Sequence, residues 1–317
     1  MENKKIKVMS IGGGNGSAFT LNALKQYKDI ADISAVVSVT DSTGSSRVLR
    51  DEFDTLPVGD IMRAVLALSP YNYKILKNIF YKNRFDNLGK LSKHNLGNLA
   101  LVLMQDYAGD FVSAIRALEC SIEARGKVWP VSLGRADLVA ELEDGQKIIS
   151  EGEIDKPKYD KKIKIKKLTL DKKIKILPEV KELLEQADYI FFGPGSFYTS
   201  IIATILPDGF FEALQNSKAK FVFVFGNARH THGETGPKQL SEFITTLEGY
   251  LPRKIDLCYY NNHEFDDVER KIYNKRGWEI VPNDSDDSRI IAFDYEREGT
   301  GLSWQKFYPE LKKLFEK

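Results

Sequence analysis

The chain has 317 residues, 42% of them hydrophobic and 29% charged, and 46 Lys plus Arg against 45 Asp plus Glu leave a net charge of +1. This composition excludes gross disorder, and the charge balance gives no general attraction to nucleic acid or to an anionic membrane. No apolar run reaches the ~18 residues of a membrane span, and the charged N-terminus predicts no signal peptide. Two cysteines without disulfide or metal spacing, Cys120 and Cys258, fit a reducing cytoplasm, so we expect a cytoplasmic protein.

The first predicted elements form a strand–loop–helix–strand unit. A buried strand over residues 6–11 ends in the loop Gly12-Gly13-Gly14-Asn15-Gly16-Ser17, and an amphipathic helix around Phe19 follows. Residues 33–39 form a second β-branched strand, which ends at Asp41. Such a βαβ unit builds a parallel sheet with helices on its faces.

The same order of elements returns in the second half of the chain. Pro178 starts a helix, residues 189–192 form a strand, and the tight loop Gly193-Pro194-Gly195-Ser196 precedes a helix over residues 198–206. Buried strands over residues 221–225 and 255–260 come later.

Between these halves the pattern changes to short strands over residues 127–133, 136–142 and 147–150, and a Lys-alternating strand over residues 161–170. The sequence therefore predicts an α/β fold, with a Rossmann-like, doubly wound, mostly parallel sheet and a small antiparallel β insertion. We expect residues 1–125 and 177–317 to form the nucleotide-binding core, and residues 126–176 to form the insertion within the same domain.

The two glycine loops are the candidate phosphate sites. Glycines let the backbone approach a ligand, and a helix N-terminus offers unpaired N–H groups and a partial positive charge. The first loop lacks both the dinucleotide fingerprint and the Walker A pattern, yet three consecutive glycines between strand and helix favour anion binding over a mere turn. Two such loops in one sheet suggest a ligand with two phosphates, or with a phosphate at each end. Asp41 lies where a Rossmann unit places its ribose-binding carboxylate.

Further polar clusters lie at predicted helix starts and strand ends, where open α/β sheets bind ligands. These are Leu56-Pro57-Val58-Gly59-Asp60, His94-Asn95-Leu96-Gly97-Asn98 and the stretch 226–235, which contains Asn227, His230 and His232. Two loop histidines without a third ligand at diagnostic spacing predict no metal site. Residues 155–175 carry ten Lys and three Asp, a local charge of 10 − 3 = +7; without arginine or interleaved aromatics, this stretch favours a solvated strand face over a nucleic-acid site.

Taken together, these motifs resemble those of the CofD/YvcK (UPF0052) family. The resemblance covers roughly residues 5–262 and is closer to the YvcK-like (gluconeogenesis factor) branch, through Gly193-Pro194-Gly195-Ser196-Phe197-Tyr198-Thr199-Ser200 and Leu142-Glu143-Asp144-Gly145. That branch implies a regulatory protein that binds UDP-N-acetylglucosamine and links carbon metabolism to cell-wall synthesis and cell shape. The other branch implies a 2-phospho-L-lactate transferase, which uses a guanosine diphosphate-linked lactate and Mg²⁺ in deazaflavin coenzyme synthesis. Whether this chain is an enzyme stays open at this point.

The resemblance also has departures. The family's Asp-Asp-Gly-Gly-Ser-Ser reads Asp41-Ser42-Thr43-Gly44-Ser45-Ser46 here. One carboxylate is therefore missing, which weakens a Mg²⁺-dependent transfer, since carboxylates hold that ion. No cofactor is predicted beyond Mg²⁺ in the transferase case.

The motifs and the family resemblance together predict one binding site. We expect a diphosphate over the two loops and hydrogen bonds from polar side chains to sugar or base. In the transferase case, Asp41 or Asp60 would hold the metal or take the proton. The binding residues predicted are Gly12, Gly13, Gly14, Asn15, Gly16, Ser17, Asn95, Asn98, Gly193, Gly195, Ser196 and Asn227. The expected partner is a nucleotide or nucleotide sugar; nucleic acid and membrane are not expected, and a homo-oligomer stays open.

Overall fold

A computed structural model of the chain describes residues 4–42, 48–49, 53–86 and 89–316. The predicted motif 41–46 therefore lies largely outside the described residues, apart from Asp41 and Ser42. Within the described ranges, no helix is long and apolar enough to cross a membrane.

A seven-stranded parallel sheet forms the centre of the molecule. Its strands are rich in β-branched and aromatic residues, which suit a sheet that is buried on both faces. They are β1 (Ile6–Ile11), β2 (Ala31–Val37), β3 (Lys127–Pro130), β7 (Tyr189–Phe192), β8 (Lys220–Phe225), β10 (Leu257–Asn261) and β12 (Ile290–Phe293). The predicted strands of the core are thus confirmed, with ends shifted by one or two residues.

The strand order is β12-β10-β8-β7-β1-β2-β3, and every neighbouring pair runs parallel. Strand order reverses between β1 and β7, because the chain first builds outward from β1 to β3 and then outward from β7 to β12. In open α/β sheets, ligands bind at such a reversal, beyond the carboxyl ends of the strands. Each of the two glycine loops follows one of these two central strands.

Helices flank the sheet. The main ones are α1 (Gly14–Leu24), α2 (Gly59–Leu68), α3 (Tyr73–Lys77), α4 (Leu96–Ala108), α5 (Phe111–Ser121), α6 (Glu151–Asp155), α7 (Pro178–Gln186), α8 (Ala203–Ile205), α9 (Phe210–Asn216), α10 (Leu240–Glu248), α11 (Asp267–Lys275) and α12 (Trp304–Phe315). Two π-helices, Asn78–Lys82 and Phe197–Ile202, adjoin α3 and α8, and the 3₁₀-helices are Lys25–Tyr27 and Gly89–Leu91. α1 packs against both α2 and α12, where Phe19 and Phe307 lie with ring centroids 5.0 Å apart.

The antiparallel insertion is a three-stranded sheet of order β5-β4-β6, made of β4 (Leu138–Leu142), β5 (Lys147–Ile149) and β6 (Ile165–Leu170). One prediction is wrong here: residues 127–133 are expected in the insertion, but β3 is the parallel edge strand of the main sheet, paired with β2. A small two-stranded sheet joins β9 (Ala228–His230) to β11 (Trp278–Ile280) in antiparallel fashion.

Candidate functional site

A cleft of about 1350 Å³ opens at the carboxyl edge of the sheet, where strand order reverses. It is lined by Gly13 to Gly16 of the first glycine loop and by Pro194 to Ser196 of the second. Further lining residues come from α2, α3, α6, the stretch after β8 and the segment around Arg297. The position agrees with the site expected for a doubly wound fold.

The two glycine loops touch each other at the base of the cleft. The hydroxyl of Thr20 donates to the carbonyl of Gly193 (2.8 Å). A Cβ atom at Gly16 would lie 2.2 Å from the carbonyl oxygen of Pro194, so only glycine permits this approach. Gly193 and Pro194 are joined by a cis peptide bond. The close contact fixes the N-terminus of α1 beside the second loop.

Asp60 anchors the first loop. No side chain of the loop itself caps α1, and the N–H of Gly14 instead donates to Oδ2 of Asp60 (2.8 Å). Oδ1 of Asp60 pairs with the Arg63 guanidinium one turn further along α2. Burial raises the pKa of Asp60 above its ordinary value, and Arg63 opposes that rise. Asp60 therefore holds the loop in place rather than standing open to a ligand.

A basic wall, defined here as Arg63, Lys77 and Arg297, lines the cleft together with the first turn of α1. Lys77 Nζ donates to Oδ1 of Asn15 in the first turn of that helix. Burial lowers the pKa of Lys77, and the positive charges of Arg63, Lys82 and Arg297 lower it further. The lysine therefore lies in a field of excess positive charge, which an anion would relieve.

A carboxyl pocket, defined here as Glu151, Asp155 and Glu234, occupies another part of the cleft. Glu234 Oε2 accepts from the N–H groups of Tyr198 (2.9 Å) and Thr199 (3.1 Å), and the Thr199 hydroxyl donates to Oδ1 of Asp155 (2.9 Å). The second loop thus has its helix N-terminus filled by Glu234, whereas the prediction gives that place to a phosphate.

The pKa values of this pocket are raised together. Desolvation is the main cause for all three residues, and neighbouring carboxylates add to it. For Glu234 the neighbour is Asp155, and for Glu151 they include Asp41 and Asp60. Burial and the neighbouring negative charges therefore both favour the protonated forms of these carboxyl groups.

The structure brings most of the predicted site residues to the cleft. Gly13, Gly14, Asn15, Gly16, Asp41, Asp60, Gly195, Ser196 and Asn227 line it. Gly12, Ser17 and Gly193 also belong to the two loops, but they are buried and do not line the cleft. Asn95 and Asn98 do not line the cleft: Oδ1 of Asn95 caps α4 by accepting from the N–H of Asn98 (2.8 Å).

Asn227 reaches the cleft but is engaged by a buried network. Its side-chain amide donates to Oε2 of Glu296 (3.2 Å) and accepts from the hydroxyl of Tyr273 (3.2 Å). The Asn227 side chain is therefore engaged by contacts within the fold. His230 and His232 lie at the rim, with Nδ1 of His232 3.2 Å from the Lys161 ammonium.

The basic wall and the carboxyl pocket are absent from the sequence-based site. Arg63 could have been found, because it is the single charged residue among the apolar positions 61–68 of α2. Glu234 lies in the quoted stretch 226–235. Lys77, Arg297, Glu151 and Asp155 carry no local signal, since only the fold brings them to the loops.

A doubly wound parallel sheet with a cleft at its reversal point defines an α/β protein of the Rossmann-like fold class. The family model described as 2-phospho-L-lactate transferase CofD matches residues 8–297. The chain therefore belongs to the CofD (UPF0052) family.

Relatives within the family carry a different name. The gluconeogenesis factor of Bacillus subtilis is 32% identical over 296 residues, which cover 93% of this chain and 91% of that protein. The gluconeogenesis factor of Halalkalibacterium halodurans is 38% identical over 280 residues, covering 88% and 84%. A crystal structure of a UPF0052 family member from Bacillus halodurans superposes with a TM-score of 0.87 at 31% identity and covers 97% of this chain and 98% of that one. These similarities support a YvcK-like role.

Proposed function

We propose that this protein binds a nucleotide sugar of the UDP-N-acetylglucosamine type and acts as a regulatory protein that links carbon metabolism to cell-wall and cell-shape control. The gluconeogenesis-factor relatives support the regulatory branch. The ligand class rests on the cleft, and the regulatory role rests on the resemblance.

The observation that carries the ligand class is the basic wall in front of α1. A helix N-terminus binds phosphate through its N–H groups and dipole, and Arg63, Lys77 and Arg297 add three cations to the same cleft. One of those cations, Arg63, is paired with Asp60. The remaining positive charge matches a diphosphate, because charge-assisted bonds to phosphate are the strong ones.

The rest of the cleft has space and groups for a sugar and a base. Its volume of about 1350 Å³ far exceeds what a phosphate needs. We assign Asp155 and Glu151 to the sugar hydroxyls, because both line the cleft and a carboxyl group accepts hydrogen bonds and, when protonated, also donates one. Trp278 and Trp304 line the cleft as well, and an aromatic face can stack a nucleobase. In this arrangement the second loop supports the first rather than binding a phosphate of its own.

Calorimetric titration with UDP-N-acetylglucosamine tests the proposal. We expect binding by the parent chain and a loss of at least ~10-fold in affinity, about 1.4 kcal/mol, in Lys77→Gln. Lys82→Gln is the matched control, because Lys82 is exposed, lies one turn beyond Lys77 and does not line the cleft. Absence of heat at millimolar ligand would refute the proposal.

The alternative is a phosphotransferase of the 2-phospho-L-lactate type, favoured by the description of the family model and by the carboxyl pocket, in which burial raises the pKa values. Its chemistry implies Mg²⁺. Among the residues that the structure describes, no group of three His, Cys, Asp or Glu is arranged to hold a metal, and the Asp60 carboxylate is already engaged by Gly14 and Arg63. The residues of the cleft therefore do not fit a Mg²⁺ ion. GMP release from a guanosine diphosphate-linked lactate with Mg²⁺ and an acceptor would establish this alternative.

A further inference from the structure

Helix α4 presents an apolar face to solvent. Leu96, Leu103 and Tyr107 are 43%, 58% and 92% exposed, and with Ala100 they recur at the spacing of one helix face. The helix contains a single charged residue, Asp106, in 13 positions. A surface helix normally carries charged residues on its solvent-facing side. The exposed face of α4 therefore lacks the composition expected of a solvent-exposed helix face.

The apolar surface extends beyond α4. The π-helix Asn78–Lys82 packs against α4, and Ile75 and Ile79, one turn apart on that helical segment, are 58% and 47% exposed. Leu91, just before α4, is 44% exposed. Clustered exposed apolar side chains of this size mark protein interaction surfaces, whereas scattered ones need no explanation.

The two ends of α4 carry opposite charge. Exposed Lys93 lies just before the helix, and exposed Asp106 lies in its last turn. The helix dipole adds positive charge at the first end and negative charge at the second. A second copy of α4, packed antiparallel about a two-fold axis, therefore meets its complement at both ends, and such self-complementarity is the property that a symmetric dimer interface requires.

We propose that α4 forms the centre of a homodimer interface, in which the α4 helices of two copies of this chain pack antiparallel about a two-fold axis. Leu103 and Tyr107 form its apolar core, and Lys93 of each copy pairs with Asp106 of the other. A stable interface buries roughly 800 Å² per partner. At about 20 Å in length, α4 alone supplies less than this, so Ile75, Ile79 and Leu91 complete the contact.

Sedimentation velocity on the full chain tests the interface. The parent chain is expected to be a dimer at concentrations on the order of 100 µM, and Leu103→Glu is expected to raise the dimer dissociation constant at least ~100-fold. Val268→Glu is the matched control, because Val268 is 63% exposed on α11, outside this surface. Circular dichroism verifies that both variants fold. A monomeric parent, or a dimer that Leu103→Glu leaves intact, would overturn the proposal.

Charge reversal tests the antiparallel arrangement. Asp106→Lys and Lys93→Glu are each expected to weaken the dimer, because each places like charges together, and the double variant is expected to restore it. Failure of the double variant to recover would contradict the Lys93–Asp106 pairing across the two-fold axis.

Discussion

Gly13 and Gly14 are adjacent in the first glycine loop, yet a side chain would meet different surroundings at each. A Cβ atom at Gly13 would lie 2.0 Å from Oδ2 of Asp60 and would displace the anchor of the loop. At Gly14 the nearest atom is Oγ of Ser200 at 3.9 Å, and the constraint is the backbone φ of +68°. In the proposed function, a ligand phosphate occupies the free space beside Gly14, whereas Gly13 serves the fold.

Gly14→Val is expected to abolish nucleotide-sugar binding and to leave the protein folded. The positive φ costs a β-branched residue about 1–2 kcal/mol, while the side chain fills the space that the phosphate needs. Melting temperature and calorimetric affinity, measured on one sample, separate the two effects. A variant that binds as tightly as the parent would show that the first loop is only a turn.

Lys25 is a buried cation at one end of the cleft. Only 5% of the residue is exposed, and its Nζ donates to the carbonyl of Ser69 (2.7 Å). Burial lowers its pKa from 10.5 to about 8, and Arg125 contributes. Because the folded-state pKa is depressed, the folded state gains stability as pH rises through about 8 and has its full value above the unfolded pKa.

Lys25→Met is therefore expected to be more stable than the parent at about pH 7, by on the order of 1–3 kcal/mol, since it removes a buried charge and keeps the apolar stem. The difference should shrink at about pH 10, where the parent lysine is largely neutral. Urea unfolding at both pH values measures it. A variant less stable than the parent at the lower pH would show that the ammonium contributes more than its burial costs.

At the scale of elements, Glu234 connects the stretch after β8 to the π-helix Phe197–Ile202 by accepting two of its N–H groups. Its pKa is raised above the ordinary 4.5 by burial and by Asp155. Because the folded-state pKa is raised, the stabilisation is present below 4.5 and is lost as pH rises through the folded value.

Glu234→Gln keeps an acceptor for both N–H groups and removes the charge. We expect its melting temperature to vary less than that of the parent from about pH 5 to about pH 9. Glu212→Gln, at an exposed position in the first turn of α9, is the control and should follow the parent. Identical pH profiles for the parent and Glu234→Gln would contradict a raised pKa for Glu234 in the carboxyl pocket.

Glu296, which follows β12, connects the carboxyl ends of β8 and β10 to helix α11. Its carboxylate is buried and accepts from the Asn227 amide (3.2 Å), the Asn261 amide (2.8 Å) and the Tyr273 hydroxyl (2.9 Å). The N–H of Gly301 also donates to it. This network fixes the loop that presents Arg297 to the cleft.

Glu296→Leu is expected to lower the free energy of unfolding by about 3–5 kcal/mol, because it leaves several buried donors without an acceptor. Glu298→Leu, two residues on and exposed, is expected to change it by less than about 0.5 kcal/mol. Urea denaturation of both variants checks the pair. Equal losses would show that the network contributes little beyond its surroundings.

For the whole molecule, the sequence predicts the fold better than the site. Strands such as β1 and β8 are continuous apolar runs because a parallel sheet is buried on both faces, and this signal is local. The sequence places residues 127–133 in the insertion, because this stretch is short and strand-like and resembles the strands that follow it. Only its pairing with β2 distinguishes it.

The glycine loops can also be predicted from local sequence, because strand, loop and helix are consecutive in the chain. The basic wall cannot be predicted in this way. Arg63, Lys77 and Arg297 are far apart in the chain and converge only when α2, α3 and the C-terminal segment pack around α1. Asn95 is the opposite case, a residue that the sequence predicts for the site and that the structure places outside it. Its position at a helix start suggests a ligand contact, whereas its side chain caps α4, and sequence alone does not separate a cap from a binding residue.

The most direct test of the nucleotide-sugar proposal is a crystal structure of the chain with UDP-N-acetylglucosamine bound. We predict the diphosphate within hydrogen-bond distance of the Asn15 and Gly16 backbone N–H groups and of the Lys77 ammonium, with the sugar toward Asp155. A diphosphate bound away from the first loop, or a cleft without ligand at saturating concentration, would contradict it.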